Sequence, residues 1–345
     1  VKGGLSRRGF NSGLTATALL ASLSSGWPVM ARSAGAPRIR VIIDNDFAGD
    51  PDGLFQLAHH ALSPSVEIPL IVASHLHAGE SWNGDSDTAA SGAREAERLL
   101  ALLKINKTVL AGSEARIGDR VQAKPSGATQ AIINEAMRDD TETPLYYVAG
   151  AGLTEIALAW LKEPRIARRM KLIWIGGGEY AGIDHAPPGG KKAEYNLTID
   201  TGAAQLVFNK SDIDIWQVPR STYRQLLFSG AELDALASSG PLGAYLAERV
   251  ARVPPLVARL SGGKIFSLGE TYVLGDSPLV TLTALQSPFE PDPSSSQYKI
   301  LPRPRILDDG TPDPNPDGPP IRVYTQIDTR LTFADMLAKF RSVDR

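Results

Sequence analysis

The chain contains no cysteine. Disulfides, thiolate metal sites and thiol nucleophiles are excluded together. Any metal must be held by oxygen or by the five histidines, and an all-oxygen site favours a hard cation such as calcium or magnesium. A dominant charge is lacking too: 36 Lys and Arg stand against 38 Asp and Glu, a net charge of −2. There is no basic stripe and no alternation of aromatic with basic residues, so nucleic acid is not an expected partner. Long apolar runs are missing as well, and no membrane insertion is expected. What is present is ordinary for a globular protein, 43% hydrophobic and 21% charged residues. The 345 residues suit one large domain or two modest ones, and no repeat or composition break divides them.

The first residues read as an address rather than as fold. Ser6-Arg7-Arg8-Gly9-Phe10 is a twin-arginine pattern, followed by an Ala/Leu/Ser-rich segment over 13–31 and small residues at Ala31, Ala34 and Ala36 that suit cleavage. Residues 1–36 are expected to be a twin-arginine (Tat) signal peptide and residues 37–345 the folded domain. The Tat export machinery is then a partner, and the periplasm or the exterior of a bacterial cell the destination.

Beyond that segment, apolar runs alternate with helical spacing. Strands are expected at 38–43, 68–74, 108–111, 145–149, 171–175 and 213–218, with helices at 53–61, 88–103, 128–138, 154–161 and 201–209 between and after them. This pattern predicts an α/β fold with a mostly parallel central sheet flanked by helices and a more helical C-terminal half. The Pro- and Asp-rich stretch 287–317 reads as irregular or hairpin-like, followed by a strand over 321–327 and a closing helix over 331–340. In a parallel sheet, ligands bind beyond the carboxyl ends of the strands.

At one such end stands VIIDNDFAGDPDG, in which Asp44, Asp46, Asp50 and Asp52 crowd together behind a buried-strand signal. Residue types alone leave three readings open. The loop is a solvated turn, which Asp and Gly suit; it holds a metal, which would relieve the repulsion; or one Asp is a nucleophile. Asp44-Asn45-Asp46 resembles the opening of the haloacid-dehalogenase phosphatases, but Ala48 stands where that family has Thr or Val.

Further segments resemble the inosine-uridine-type nucleoside hydrolases, in family order over residues 38–285. The loop at Asp44–Asp52 is similar to that family's Asp-Thr-Asp-x-Gly-x-Asp-Asp, with Pro51 as an extra residue. Gly152-Leu153-Thr154-Glu155-Ile156-Ala157 is similar to its Gly-Leu-Thr-Asn-x-Ala turn, and KLIWIGGG at 171–178 to its strand into triple glycine. Glu194-Tyr195-Asn196 with Asp200 is similar to its Glu-Phe-Asn-x-x-x-Asp segment, and Gly275-Asp276-Ser277-Pro278 to its late His-Asp-Pro.

The resemblance implies a nucleoside-hydrolase-like domain that binds calcium and cleaves the N-glycosidic bond of ribonucleosides or related ribosyl compounds. It places Asp46, Asp52 and Asp276, with the Gly150 carbonyl, as metal ligands. It makes Asp46 the base for the attacking water. Asp50, Asn83, Glu194 and Asn196 become ribose-binding residues, and Asp44 a support for the loop. A ring of carboxylates suits an oxocarbenium-like transition state. Family members are often dimers or tetramers, so a homo-oligomer is expected. Many of them protonate the departing base with the histidine before the late Asp; here Gly275 stands there. Trp82 could stack on a base, and His75, His77, Tyr180 or His185 could supply the proton. His59 and His60, on the first helix, read as structural. The alternatives are a sugar- or nucleoside-binding protein without turnover and a metal-dependent phosphohydrolase using Asp44 as nucleophile.

Overall fold

Val41, Ile42 and Ile43 are all fully buried, and successive side chains of a strand point to opposite faces of its sheet. Val41 and Ile43 therefore enter one hydrophobic core and Ile42 a second. A strand buried on both faces requires a sheet covered on both faces. The computed structural model shows this arrangement. It describes residues 36–343 except 83, 119–123, 189–192, 261, 264–266 and 288–294. Residues 1–35 of the expected signal peptide and the candidate Asn83 lie outside the described residues.

The strand β1 (Ile39–Asn45) leads into helix α1 (Asp52–Ala61). β2 (Val66–Ala73), α2 (Thr88–Leu102), β3 (Val109–Ala111) and α3 (Gly127–Ala136) come after it. β4 (Leu145–Ala149), α4 (Thr154–Lys162), β5 (Met170–Ile175), α5 (Tyr195–Ile199), α6 (Thr201–Asn209) and β6 (Asp214–Val218) complete the first half. The sheet order is β3-β2-β1-β4-β5-β6, then strand Pro320–Gln326 and edge strand Gln297–Pro302. All pairs among β1–β6 are parallel. The order reverses between β1 and β4, so the crevice for a ligand opens beyond Asn45 and Ala149.

The second half is more helical, as expected, with helices at Gly230–Ala237, Pro241–Ala251, Val253–Leu260 and Thr329–Phe340. The stretch expected to be irregular or hairpin-like holds both a small hairpin, Arg305–Ile306 with Pro312–Asp313, and the edge strand. That strand is antiparallel and mostly solvent-facing, so it carries no alternation of hydrophobicity to betray it. Among the described residues, no helix is long and apolar enough to cross a membrane.

Candidate active site

Asp44 is the next-to-last residue of β1, with no exposed surface. Its two oxygens accept hydrogen bonds from the Ser74 and Tyr147 hydroxyls. Burial pushes its carboxyl up to about 7 against those bonds. This is the supporting role expected of it. A nucleophile must reach its substrate, and Asp44 cannot; the phosphohydrolase expectation fails on this point.

Asn45 comes next and anchors the carboxylate loop. Its Oδ1 accepts the Asp46 amide N–H at 2.8 Å, and its Nδ2 donates to Asp276 Oδ2 at 2.8 Å. The same Nδ2 lies 3.4 Å from Gln56 Oε1. Gln56 Nε2 in turn meets His60 Nδ1, and His60 Nε2 lies 2.8 Å from Thr283 Oγ1. Thr283 donates its proton to the Leu279 carbonyl, so His60 must donate from Nε2 and accept at Nδ1. A neutral imidazole therefore fixes the Gln56 amide, which helps fix the Asn45 amide. Burial holds His60 well below its usual pKa, in agreement with a neutral ring. The Asn45 amide fits because two glycines leave room: a Cβ on Gly53 would lie 2.7 Å from Asn45 Oδ1, and one on Gly150 only 2.6 Å from Asp276 Oδ2.

Pro51 does not displace Asp52. Pro51 is buried directly before α1, and Asp52 becomes the first helical residue. Asp46, Asp50 and Asp52 then line one cavity of about 300 Å³ together with Gly150, Glu194, Asn196 and Asp276. Every metal- or substrate-binding position named from the sequence, Asn83 aside, is brought to this cavity. Burial, then the charge of Asp276, pushes both Asp46 and Asp52 well above the usual carboxylate range. Burial pushes Asp276 up to about 7, opposed by the Asn45 hydrogen bond. Among the described lining residues there is no Lys, Arg or His to offset these charges.

The donor chemistry fits a hard divalent cation: three carboxylates and the Gly150 carbonyl are all oxygen, and the carboxylates repel one another. Among the described residues, no three acidic or histidine groups stand at the spacing of a closed cage. The convergence and the repulsion support a metal; a finished coordination sphere is not part of the support.

Glu194 and Asn196 have structural work besides any ligand. Glu194 caps α5, accepting from Asn196 N at 3.1 Å and Leu197 N at 3.0 Å. It also accepts from Gly177 N and from the Tyr223 hydroxyl, each at 2.8 Å. Gly177 has φ +82°, which accounts for a glycine at that place in the triple-glycine turn. Asn196 Nδ2 donates to the Ile175 carbonyl at 2.8 Å and the Gly150 carbonyl at 3.2 Å, tying two strand ends together.

The histidines divide as their positions dictate. His59 bonds Asp335 at 2.8 Å, and it is structural like His60. His75 is buried, held by Leu76 O at 2.7 Å and Thr154 Oγ1 at 3.0 Å, and it does not line the cavity. His77 meets the Tyr195 ring edge-on and lies 3.2 Å from the Tyr195 carbonyl, and it is not among the residues that line the cavity. Tyr180 donates to Gln217 at 2.5 Å, away from the cavity.

The site also holds residues that the sequence reading did not assign. Tyr223, Tyr195 and Ile175 line it beside Trp82, and Tyr272 donates to Asp50 Oδ1 at 2.7 Å. Ile175 and Tyr223 lie at or just beyond the carboxyl ends of β5 and β6, so the strand-end rule that picked out Asp46 and Gly150 points to them too.

A family model described as "Inosine-uridine preferring nucleoside hydrolase" matches residues 41–272. The inosine-uridine preferring nucleoside hydrolase of Crithidia fasciculata is 40% identical over 91 residues, 26% of this chain and 26% of that protein. Its counterpart from Leishmania major is 40% identical over 84 residues, 24% of this chain and 25% of that protein. The chain thus spans about a quarter of the length of the curated relatives it matches. Among solved structures, a plant nucleoside hydrolase superposes with a TM-score of 0.65 at 20% identity, covering 89% of this chain and 100% of that one. A purine-preferring ribonucleoside hydrolase from Gardnerella vaginalis gives 0.66 at 17% identity, covering 88% and 99%. At these identities the structures speak for the fold. The family match speaks for more, because the carboxylate loop, the triple-glycine turn and the Glu194–Asn196 segment all lie inside it. The chain belongs to the inosine-uridine preferring nucleoside hydrolase family.

Proposed function

We propose that the protein hydrolyses the N-glycosidic bond of ribonucleosides or related ribosyl compounds, with calcium held by Asp46, Asp52, Asp276 and the Gly150 carbonyl. One observation carries the reading: at the switch point of the sheet, Asp46, Asp50, Asp52 and Asp276 face one cavity with Glu194 and Asn196. A divalent ion there supplies Lewis acidity and orients vicinal hydroxyls. Asp46 takes the proton of the attacking water, since its carboxylate faces the cavity beside the other proposed ligands. Asp50, Glu194, Asn196 and Asn83 hold ribose hydroxyls. Breaking the C1′–N bond leaves positive charge over C1′ and the ring oxygen, and carboxylates in a buried site stabilise that charge. Trp82, at the cavity wall, offers a face to the base. The twin-arginine segment supports export to the periplasm.

The test is calcium titration of the full chain by calorimetry, with a reducing-sugar assay over a nucleoside panel. Calcium binding and ribose release, both lost in Asp46→Ala, are expected. Calcium binding with no ribose released from any substrate would overturn the hydrolase in favour of a binding protein.

A further inference from the structure

A neutral nucleoside loses its base as an anion unless a proton reaches the base as the bond breaks. The histidine that many family members use for this is absent, and Gly275 stands in its place. A Cβ on Gly275 would lie 3.2 Å from both Tyr223 Cδ2 and Asp52 Oδ2, in tight contact with each. The hydroxyl and indole protons of the aromatic residues that line the cavity are already committed to carboxylates. The Tyr223 hydroxyl donates to Glu194 Oε1 at 2.8 Å, and the Tyr195 hydroxyl to Glu80 Oε2 at 2.8 Å. The Trp82 indole N–H donates to Glu80 Oε1 at 2.6 Å. Among the described residues lining the cavity, none is His, Lys or Arg.

The mouth has a second character. Trp82 and Tyr195 both line the cavity, and Glu80 joins them by accepting one hydrogen bond from each. Two aromatic side chains linked by a carboxylate form a surface that attracts a delocalised cation, through the ring faces and through the charge. A neutral base gains nothing from the carboxylate.

We propose that the preferred substrate is a ribosyl group bonded to a cationic aromatic ring nitrogen, as in a pyridinium riboside, rather than a neutral nucleoside. This rests on the ribosyl-hydrolase reading of the same site. Such a substrate needs no acid. As the C1′–N bond breaks, its electron pair returns to the ring nitrogen, and the base leaves neutral. Water oxygen bonds to C1′, and its proton passes to the Asp46 carboxylate and on to solvent. The products are ribose, neutral base and one proton.

The test compares kcat/KM of the full chain, with calcium, on three kinds of ribosyl compound. Nicotinamide riboside is the cationic probe, inosine and uridine are the neutral ones, and 4-nitrophenyl β-ribofuranoside is a neutral compound whose leaving group needs no proton. The expected result is a kcat/KM on nicotinamide riboside at least a hundredfold above inosine and uridine. In Glu80→Gln, which keeps the shape of the mouth, the ratio of nicotinamide riboside to nitrophenyl riboside is expected to fall about tenfold. Equal or faster hydrolysis of inosine or uridine overturns the cationic preference and leaves the hydrolase reading standing. An unchanged ratio in Glu80→Gln overturns the role of the mouth and the preference built on it. Failure to cleave any of the compounds, nitrophenyl riboside included, overturns the hydrolase reading and the preference with it.

Discussion

The amino ends of the parallel sheet and the cavity at its carboxyl ends handle charge in opposite ways. At the amino ends, charges are matched. Arg40, near the start of β1 and almost wholly buried, reaches Glu135 Oε1 at 2.5 Å and the Thr143 carbonyl at 3.0 Å. Lys171 on β5 pairs with Asp214 on β6 at 3.8 Å and lies 5.1 Å over the Trp216 ring. Arg138 holds Asp140 below the usual carboxylate range. In the cavity at the carboxyl ends, Asp46 and Asp52 are driven upward by burial and then by the charge of Asp276, although Arg220 and Glu179 nearby are paired at 2.7 Å. The same strands carry both ends, so the difference does not come from the fold class. Matched charges serve stability, and unmatched ones mark the place where a ligand completes the set.

Asp276→Asn tests that contrast most severely. The amide keeps the shape and can still accept from Asn45 Nδ2, but it removes one charge from the cluster. Loss of kcat/KM on the order of a thousandfold is expected, as for other groups that stabilise charge in a transition state. Stability should move the other way. Above the raised value of about 7, the folded protein holds Asp276 charged at a cost, whereas the unfolded chain holds it charged freely. In chelator at about pH 8, the variant is therefore expected to unfold at a higher temperature than the parent. A lower unfolding temperature would mean that Asp276 is matched after all, and the contrast between the two ends would collapse.

Arg40→Met is the mirror experiment. It leaves the Glu135 carboxylate, only 12% exposed, without its main cation. Breaking a buried pair from one side costs about 3–5 kcal/mol. Denaturant unfolding should report that loss, while kcat/KM per folded molecule stays at the parental value, because Arg40 lies at the far end of β1 from the cavity. Equal damage to catalysis would show that the amino ends help to shape the site.

Legibility in the sequence divides along similar lines. β4 and α6 fall at their expected limits, because a run such as LYYVA and the helix TGAAQLVFN each carry a strong local signal. Asp46, Asp50, Asp52, Gly150 and Asp276 could be named because they stand in motifs that resemble the family's, where the order of several motifs along the chain carries what no single acidic residue or glycine does. Tyr223 and Tyr272 could not, since an aromatic residue reads as core until its hydroxyl is seen on a carboxylate. His60 was legible as structural but not as part of a chain to Asp276. That chain runs from α1 to residues more than two hundred positions away, and only folding makes it. The edge strand Gln297–Pro302 was hidden for the opposite reason, having too little burial to leave a pattern.

The smallest effect separates burial from pairing. Arg165 bonds Glu163 at 2.6 Å and holds its carboxyl down to about 2, a pairing as close in distance as that of Arg40 with Glu135. Arg165 is, however, 74% exposed. Water and salt screen such a pair, and holding two long side chains together costs entropy. Arg165→Ala is therefore expected to leave both the unfolding midpoint and kcat/KM unchanged within measurement. If the midpoint instead falls as far as in Arg40→Met, pairing alone would account for the stability of the amino ends. If it does not, the two ends differ because their charges are buried: burial makes the match at Arg40 matter, and burial makes the mismatch at Asp276 demand a cation.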